Sequence, residues 1–260
     1  MNRSVIPFSY QGAQLLGTLD MGLASGATGL LLVSGGNEIR SGAWGGQAWL
    51  GAALAREGVP VFRFDRRGVG DSEGENRGFR ASGPDIAAAL AAFRAAAPHV
   101  KRVVAMGNCD AASALMLHAA TLPGLDGLIL ANPWTVDGEN ETAPVHSAAA
   151  LRRHYLRRLA DPRQWARLLA GKVALGKLAG GLRTAAAPQA ASALAEEMRA
   201  ALASYRGKVT ILLAQGDRTA QLFASHWGAD PRVIGNPGTS HSFADAPEWL
   251  LHQVLAALGD

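Results

Sequence analysis

Three side chains in this sequence have the types and the order needed for nucleophilic acyl transfer. Cys109 is the only cysteine of the chain, and it stands in the pattern Gly-x-Cys-x-Ala directly after a short apolar run. Asp217 and His241 each follow a later apolar run. A cysteine nucleophile needs a base that holds it as the thiolate, and that base needs an acid that orients it. The order nucleophile, acid, base therefore predicts a catalytic triad of Cys109, Asp217 and His241.

The residues around Cys109 favour a sharp turn between a strand and a helix. The backbone of such a turn is strained, so the residues two positions away on either side must be small. Gly107 and Ala111 meet that demand. The alternative is that Cys109 is a small buried hydrophobe, as single buried cysteines usually are.

The predicted acid and base also have structural alternatives. Asp217 follows the apolar run at residues 209–214, which predicts that it lies at the same sheet edge as Cys109. An aspartate in this place can instead cap the N-terminus of the next helix. Of the seven histidines, only His241 has the right order in the chain and lies in a loop after a strand. The other six are expected to be surface or core residues.

An acyl-transfer site also needs N–H donors for the oxyanion that develops on the substrate carbonyl. One expected donor is the backbone N–H of Asp110, the residue after the nucleophile. The other is expected from the Ser-Gly-Gly stretch at residues 34–36, with Gly36 as the first candidate and Gly35 as the next. An ordinary glycine turn is the alternative for this stretch.

We expect Gly35, Asn37 and Trp134 to contribute to the substrate pocket, which would hold a small acyl substrate. The sequence has no cluster with metal-ligand spacing and no dinucleotide fingerprint. The pair Gly35-Gly36 is too short for a phosphate-binding loop. No metal and no cofactor are therefore expected.

The apolar runs that carry these residues alternate with segments of helical spacing, which predicts a doubly wound, mostly parallel sheet. Continuous apolar runs of this kind suit strands buried on both faces. Strands are expected at residues 29–33, 59–64, 100–106, 125–132, 209–214 and 232–234, helices at residues 48–57, 84–96, 111–120 and 247–258, and an N-terminal edge hairpin at residues 4–10 and 14–19.

The strand pattern stops after residue 132 and resumes only near residue 207. The block between is rich in Ala, Leu and Arg, and we interpret residues 133–206 as a helical cap inserted into the sheet domain. The α/β core would then consist of residues 1–132 and 207–260.

The predicted cap carries a strongly basic segment, in which Asp161 is the only acidic residue. Such a charge run is either a solvated helix face or a surface that meets an anionic membrane or an anionic glycan. No nucleic-acid motif accompanies it, so a nucleic-acid partner is not expected. The basic residues are Arg152, Arg153, Arg157, Arg158, Arg163, Arg167, Lys172, Lys177 and Arg183.

The composition is that of an ordinary globular protein: 260 residues, 48% hydrophobic and 18% charged, with a net charge of +4. The N-terminus lacks the charged-then-apolar pattern of a signal peptide, and no apolar run approaches the roughly 20 residues that span a bilayer. A single cysteine suits a reducing compartment. These observations predict a cytoplasmic protein.

Several stretches together resemble the α/β-hydrolase superfamily, and the resemblance covers essentially the whole chain. It implies an α/β-hydrolase fold, with Ser34 where relatives often have His and Cys109 where most have Ser. The residues that carry it are Ser34-Gly35-Gly36, the Asp-x-Arg-Gly-x-Gly-x-Ser-type segment at residues 64–74, the Cys109 elbow, Asp217 and His241.

A narrower resemblance is to the exosortase A system-associated hydrolase 1 group, which belongs to bacterial systems that make exopolysaccharide and sort proteins to the envelope. It is carried by residues 107–114, 132–134 and 153–159. A Cys-His-Asp triad in this fold also resembles dienelactone hydrolase.

The residues and the resemblance favour hydrolysis of small acyl esters or thioesters through a thioester acyl-enzyme. Two alternatives stay open. One is an acyltransferase that modifies an exopolysaccharide or lipid intermediate. The other is a catalytically idle hydrolase fold that serves as a scaffold in an envelope complex.

Overall fold

The computed structural model describes residues 1–136 and 192–259, and in them the chain folds around an eight-stranded sheet. The strands are β1 (Asn2–Tyr10), β2 (Ala13–Met21), β3 (Thr28–Val33), β4 (Val61–Phe64), β5 (Arg102–Asn108), β6 (Gly127–Ala131), β7 (Lys208–Ala214) and β8 (Val233–Asn236). Their order in the sheet is β1-β2-β4-β3-β5-β6-β7-β8. The β1–β2 and β2–β4 pairs are antiparallel, and all the other pairs are parallel.

Helices cover both faces of this sheet. The α-helices in the described part of the chain are α1 (Gly46–Arg56), α2 (Gly83–Ala96), α3 (Asp110–His118), α4 (Ala193–Ala203), α5 (Arg218–Trp227) and α6 (Pro247–Gly259). Alternate strand residues point to opposite faces. On one face they pack against α2, α3, α4 and α5, and on the other against α1 and α6.

The doubly wound sheet and the edge hairpin predicted from the sequence are confirmed, with small shifts at the element ends. The strand predicted at residues 59–64 begins at Val61, after Pro60, which lacks a backbone N–H for the ladder. The helix predicted at residues 111–120 ends at His118, and a short 3-10 turn follows it.

Most of the predicted cap at residues 133–206, including its basic segment, lies outside the described residues. The described end of that range forms α4, which begins at the Ser192 cap and packs against α3. Its side chains Leu194, Met198 and Leu202 are buried in the core. This helix therefore covers the sheet in the same way as α2 and α3. In the described part of the chain, no helix is long and apolar enough to cross a membrane.

A buried ion pair ties β2 to β4 at the antiparallel side of the sheet. The carboxylate of Asp20 is fully buried and accepts hydrogen bonds from Arg63 Nε at 2.9 Å and Arg3 Nε at 2.5 Å. Arg63 is itself only 2% exposed. Burying either charge alone would cost several kcal/mol of desolvation, and each charge is stable at this depth because the other is its hydrogen-bonded partner.

We predict that Asp20→Ala lowers the free energy of unfolding by about 3–5 kcal/mol, because it leaves the Arg63 charge buried without its partner. Urea unfolding followed by circular dichroism measures this loss. Glu197→Ala is the matched control, since it removes a carboxylate from a half-exposed pair with Arg80 and should cost less than about 1 kcal/mol. Equal losses for the two variants would contradict the assignment.

Candidate active site

Cys109 lies at the turn between β5 and α3, in a conformation that L-residues rarely adopt. Its backbone angles are φ 60° and ψ −127°, which costs of the order of 1–3 kcal/mol. Its N–H donates to the carbonyl of Ala131 at 3.0 Å, and its carbonyl accepts from Ala112 N and Trp134 N. These backbone hydrogen bonds hold the strained turn, and the thiol is partly exposed at its apex.

The small residues beside the turn are required by close packing. A Cβ atom added at Gly107 would lie 2.7 Å from the backbone carbon of Ala111. Real Cβ atoms do not approach backbone so closely, so the strand and the helix could not cross here with a larger residue at position 107. The requirement for small neighbours inferred from the Gly-x-Cys-x-Ala pattern is thus visible in the packing.

The predicted acid and base lie together beside the thiol. His241 Nδ1 donates to Asp217 Oδ2 at 2.8 Å, and His241 and Cys109 line the same cleft. Because Nδ1 is engaged by the carboxylate, the ring nitrogen left for the sulfur is Nε2. The same Asp217 oxygen accepts the N–H of Ala220 at 3.1 Å. Asp217 therefore caps α5 and hydrogen-bonds the predicted base at once, so the cap does not exclude the predicted acid role.

The titration of the base is set by its two partners. The hydrogen bond to Asp217, followed by the nearby Cys109 side chain, raises the pKa of His241 to about 10 against the opposing effect of burial. Burial favours a higher pKa for Asp217, but the hydrogen bond and the charge of His241 outweigh it, and the pKa of Asp217 falls below its ordinary value. At neutral pH His241 is an imidazolium between a carboxylate and the Cys109 sulfur.

Two asparagines that the sequence analysis did not assign to the site hold the His241 loop. Asn132 Nδ2 donates to the carbonyl of His241 at 3.0 Å and to Asn108 Oδ1 at 3.0 Å, and its Oδ1 accepts from Ala214 N at 2.8 Å. Asn108 Nδ2 donates to the same His241 carbonyl at 3.3 Å. Asn132 has a φ of 42°, a left-handed value that asparagine adopts more readily than most residues. An asparagine directly after a buried strand is therefore the sequence signal that could have marked it.

The loop expected to bind the oxyanion lies against α3, but its donor is occupied. Gly36 N donates to Asp110 Oδ1 at 2.7 Å. A Cβ at Gly35 would lie 2.5 Å from the same oxygen, so glycine is required for this approach. The Asp110 N–H belongs to the first turn of α3, where backbone N–H groups have no partner within the helix. The two expected donors are thus adjacent, with a carboxylate oxygen on one of them.

A cleft of about 320 Å³ opens above these groups. Of the residues expected in the substrate pocket, Gly35 and Trp134 line it. Asn37 does not belong to its lining; its side chain is exposed and accepts a hydrogen bond from Asn76 at 2.8 Å. The described residues that line the cleft are Gly35, Gly36, Glu38, Phe79, Asn108, Cys109, Asp110, Trp134 and His241.

A family model described as the alpha/beta hydrolase family matches residues 30–253 of the chain. The chain therefore belongs to the α/β-hydrolase family, and the predicted α/β-hydrolase fold is confirmed. No curated protein matches the chain significantly. Within the described residues there is no group of three His, Cys, Asp or Glu side chains that could hold a metal ion.

Solved structures with the same fold include esterases and a thioesterase. The esterase Pf2001 from Pyrococcus furiosus is 16% identical, with a TM-score of 0.60 over 99% of this chain and 90% of the other. Est1E from Butyrivibrio proteoclasticus, solved with ferulic acid bound, is 15% identical, with a TM-score of 0.60 over 98% and 100%. The thioesterase domain from the curacin biosynthetic pathway is 15% identical, with a TM-score of 0.59 over 98% and 100%.

The raised pKa of His241 predicts a pH-dependent contribution to stability. Below pH 6.5 the folded and unfolded states both hold the proton and the contribution is complete. As the pH rises toward about 10, the unfolded chain loses the proton first, so the contribution is lost. We expect Cys109→Ala to lose unfolding free energy between pH 6.5 and pH 9.5, and Cys109→Ala/His241→Gln to lose less.

Urea titrations of the two variants at both pH values measure this difference. The Cys109→Ala background removes the thiol from the titration and retains Asp217, the stronger partner of His241. Parallel pH dependence in the two variants would show that the imidazolium has no preferred partner in the folded state.

Proposed function

We propose that the protein hydrolyses esters or thioesters of small acyl groups through a thioester acyl-enzyme on Cys109. The observation that carries the proposal is the hydrogen-bonded pair of Asp217 and His241 in the same cleft as a sulfur at the apex of a strained turn. Membership of the α/β-hydrolase family and the esterase and thioesterase neighbours support it.

In the first half of the reaction the thiolate of Cys109 attacks the substrate carbonyl carbon, and the C=O electron pair moves onto the oxygen. Backbone N–H groups of Asp110 and Gly36 are the donors for this oxyanion. As the intermediate collapses, the protonated His241 gives its Nε2 proton to the departing alcohol or thiol. The acyl group then remains on sulfur as a thioester.

In the second half water attacks the thioester carbonyl and gives a proton to His241 Nε2. The sulfur leaves as the thiolate, the acid is released, and the thiolate–imidazolium pair is restored. Asp217 holds the Nδ1–H throughout and keeps the ring in the orientation that both proton transfers need.

The size of the acyl group follows from a second, smaller cavity of about 60 Å³. Glu38 and Asn108 line both this cavity and the cleft, so the two spaces are neighbours. At about 10–15 Å³ for a water-sized group, it accommodates roughly four to six such groups. Its apolar lining comes from Leu32, Val33, Trp44, Trp49, Leu50, Met106, Phe243 and Leu250.

We further propose that the protein belongs to a narrower hydrolase group, that it is cytoplasmic, and that its basic segment contacts an anionic membrane or glycan. Placement in the exosortase A system-associated hydrolase 1 group is supported by residues 107–114 and 132–134, while residues 153–159 lie outside the described part of the chain. The cytoplasmic location and contact of the basic segment with an anionic membrane or glycan rest on the sequence alone.

We predict that Cys109→Ala and His241→Gln each lower kcat/KM for p-nitrophenyl acetate by at least about 10³-fold, because each removes a member of one catalytic unit. Mass spectrometry should find an acetyl adduct on Cys109 of the native protein and none on Cys109→Ala. His252→Gln is the matched control, since its side chain is exposed on α6. Equal rates in all the proteins would favour a scaffold without catalysis.

We also predict a preference for short acyl chains. Because the small cavity has about 60 Å³, kcat/KM should fall at least about 10-fold from p-nitrophenyl butyrate to the octanoate. Trp44→Ala removes one wall of the cavity and should reduce that ratio, with the acetate rate of the same variant as its reference. A flat chain-length profile would argue against the cavity as the acyl site. Ester products formed in the presence of an added alcohol would identify acyl transfer beside hydrolysis.

A further inference from the structure

The carboxylate of Asp110 occupies the donor that the proposed reaction needs. Asp110 Oδ1 lies 2.7 Å from Gly36 N, and the Asp110 side chain is 18% exposed in the cleft wall. A substrate oxygen that is to use the Gly36 N–H must take the place of this carboxylate oxygen. A carboxylate left there would also repel the oxyanion, since two negative charges would share one donor.

A buried guanidinium lies behind the carboxylate and has donors to spare. Arg66 is 3% exposed, and its Nη2 donates to the carbonyl of Gly36 at 2.5 Å. The same Nη2 lies 3.9 Å from Asp110 Oδ2, which is beyond hydrogen-bond length. The Nε and Nη1 atoms are buried and have no hydrogen-bond partner in the structure as described. Unsatisfied charged donors of this kind are costly.

We propose that Asp110 moves its carboxylate between Gly36 N–H and the Arg66 guanidinium, and that the position on Arg66 completes the oxyanion hole. A small rotation toward Arg66 closes the 3.9 Å gap between Asp110 Oδ2 and Nη2, and it brings the carboxylate to a guanidinium whose forked donors suit a carboxylate and are not all used. The Gly36 N–H is then free for the substrate oxygen. Asp110 and Arg66 act here as positioning residues, and their role rests on the proposed function.

The test compares two reactions of the same sulfur. Alkylation by iodoacetamide forms an S–C bond and expels iodide without any oxyanion. Acylation by p-nitrophenyl acetate passes through an oxyanion and expels p-nitrophenolate. The acylation rate divided by the alkylation rate of the same variant therefore isolates the oxyanion hole from the reactivity of the thiol.

Arg66→Met is expected to lower this ratio at least about 10-fold, because Asp110 then has only the Gly36 N–H to occupy, and one oxyanion donor is worth about 10²–10³. Asp110→Ala should raise the ratio about 3- to 10-fold, since it frees the donor. The decisive variant is Asp110→Ala/Arg66→Met, which should recover to the level of Asp110→Ala. A residue needed only for folding would give no such rescue.

Asp110→Asn is the conservative control, because its amide oxygen still accepts from Gly36 N–H but carries no charge. Its ratio should stay below that of Asp110→Ala. If Arg66→Met does not fold, as judged by its melting curve, this comparison decides. An Asp110→Ala ratio at or below that of the native protein overturns the inference alone. If the native protein is neither alkylated by iodoacetamide nor acylated by p-nitrophenyl acetate at Cys109, the proposed function is overturned, and the inference with it.

Discussion

Cys109 is held at a positive φ of 60°. Backbone hydrogen bonds from the neighbouring strand and helix offset the strain of this conformation. Parallel pairing of β5 with β6 places the Ala131 carbonyl where the Cys109 N–H can reach it. On the other side of the turn, N–H groups in the first turn of α3 donate to the Cys109 carbonyl. A strained residue persists only where its neighbours determine its position from several directions. The elbow therefore depends on the register of the central strands rather than on any contact of the thiol.

The same register fixes the base through buried amides. Asn132 follows β6. Its Oδ1 accepts a hydrogen bond from Ala214 N of β7, and its Nδ2 donates to Asn108 Oδ1 and to the His241 carbonyl. Every polar atom of its side chain has a partner, and a fully satisfied buried network is rigid. His241 lies on a loop, yet its carbonyl accepts hydrogen bonds from Asn108 at the end of β5 and from Asn132 after β6. This anchoring holds a loop residue in place in the cleft that Cys109 also lines, as the proposed reaction requires.

The sheet, the turn at Cys109 and the proximity of Asp217 to His241 could be predicted because each leaves a local or an ordered trace in the sequence. Apolar runs gave the strands within about two residues, and the chain order selected His241 among seven histidines. The contact of Asp110 with Gly36 leaves no such trace. It depends on a rotamer and on Arg66, which reaches the site from another loop. Asn37 follows Gly36 directly, but its side chain is turned to Asn76, and this direction is set by the fold of the loop.

The placement of charge gives the proposed reaction a direction across the cleft. In the proposed reaction the attacking sulfur brings negative charge beside His241, whose pKa is raised by Asp217 and Cys109. In the tetrahedral intermediate that charge moves to the substrate oxygen, on the side of Gly36 and Arg66. A carboxylate at Gly36 opposes this transfer, and the same carboxylate on a buried guanidinium does not, since the pair is then neutral. In the proposed reaction the His241 imidazolium thus lies on the side of the sulfur, and the Arg66 guanidinium lies on the side of the substrate oxygen, so each position of the charge during acylation has a cation nearby.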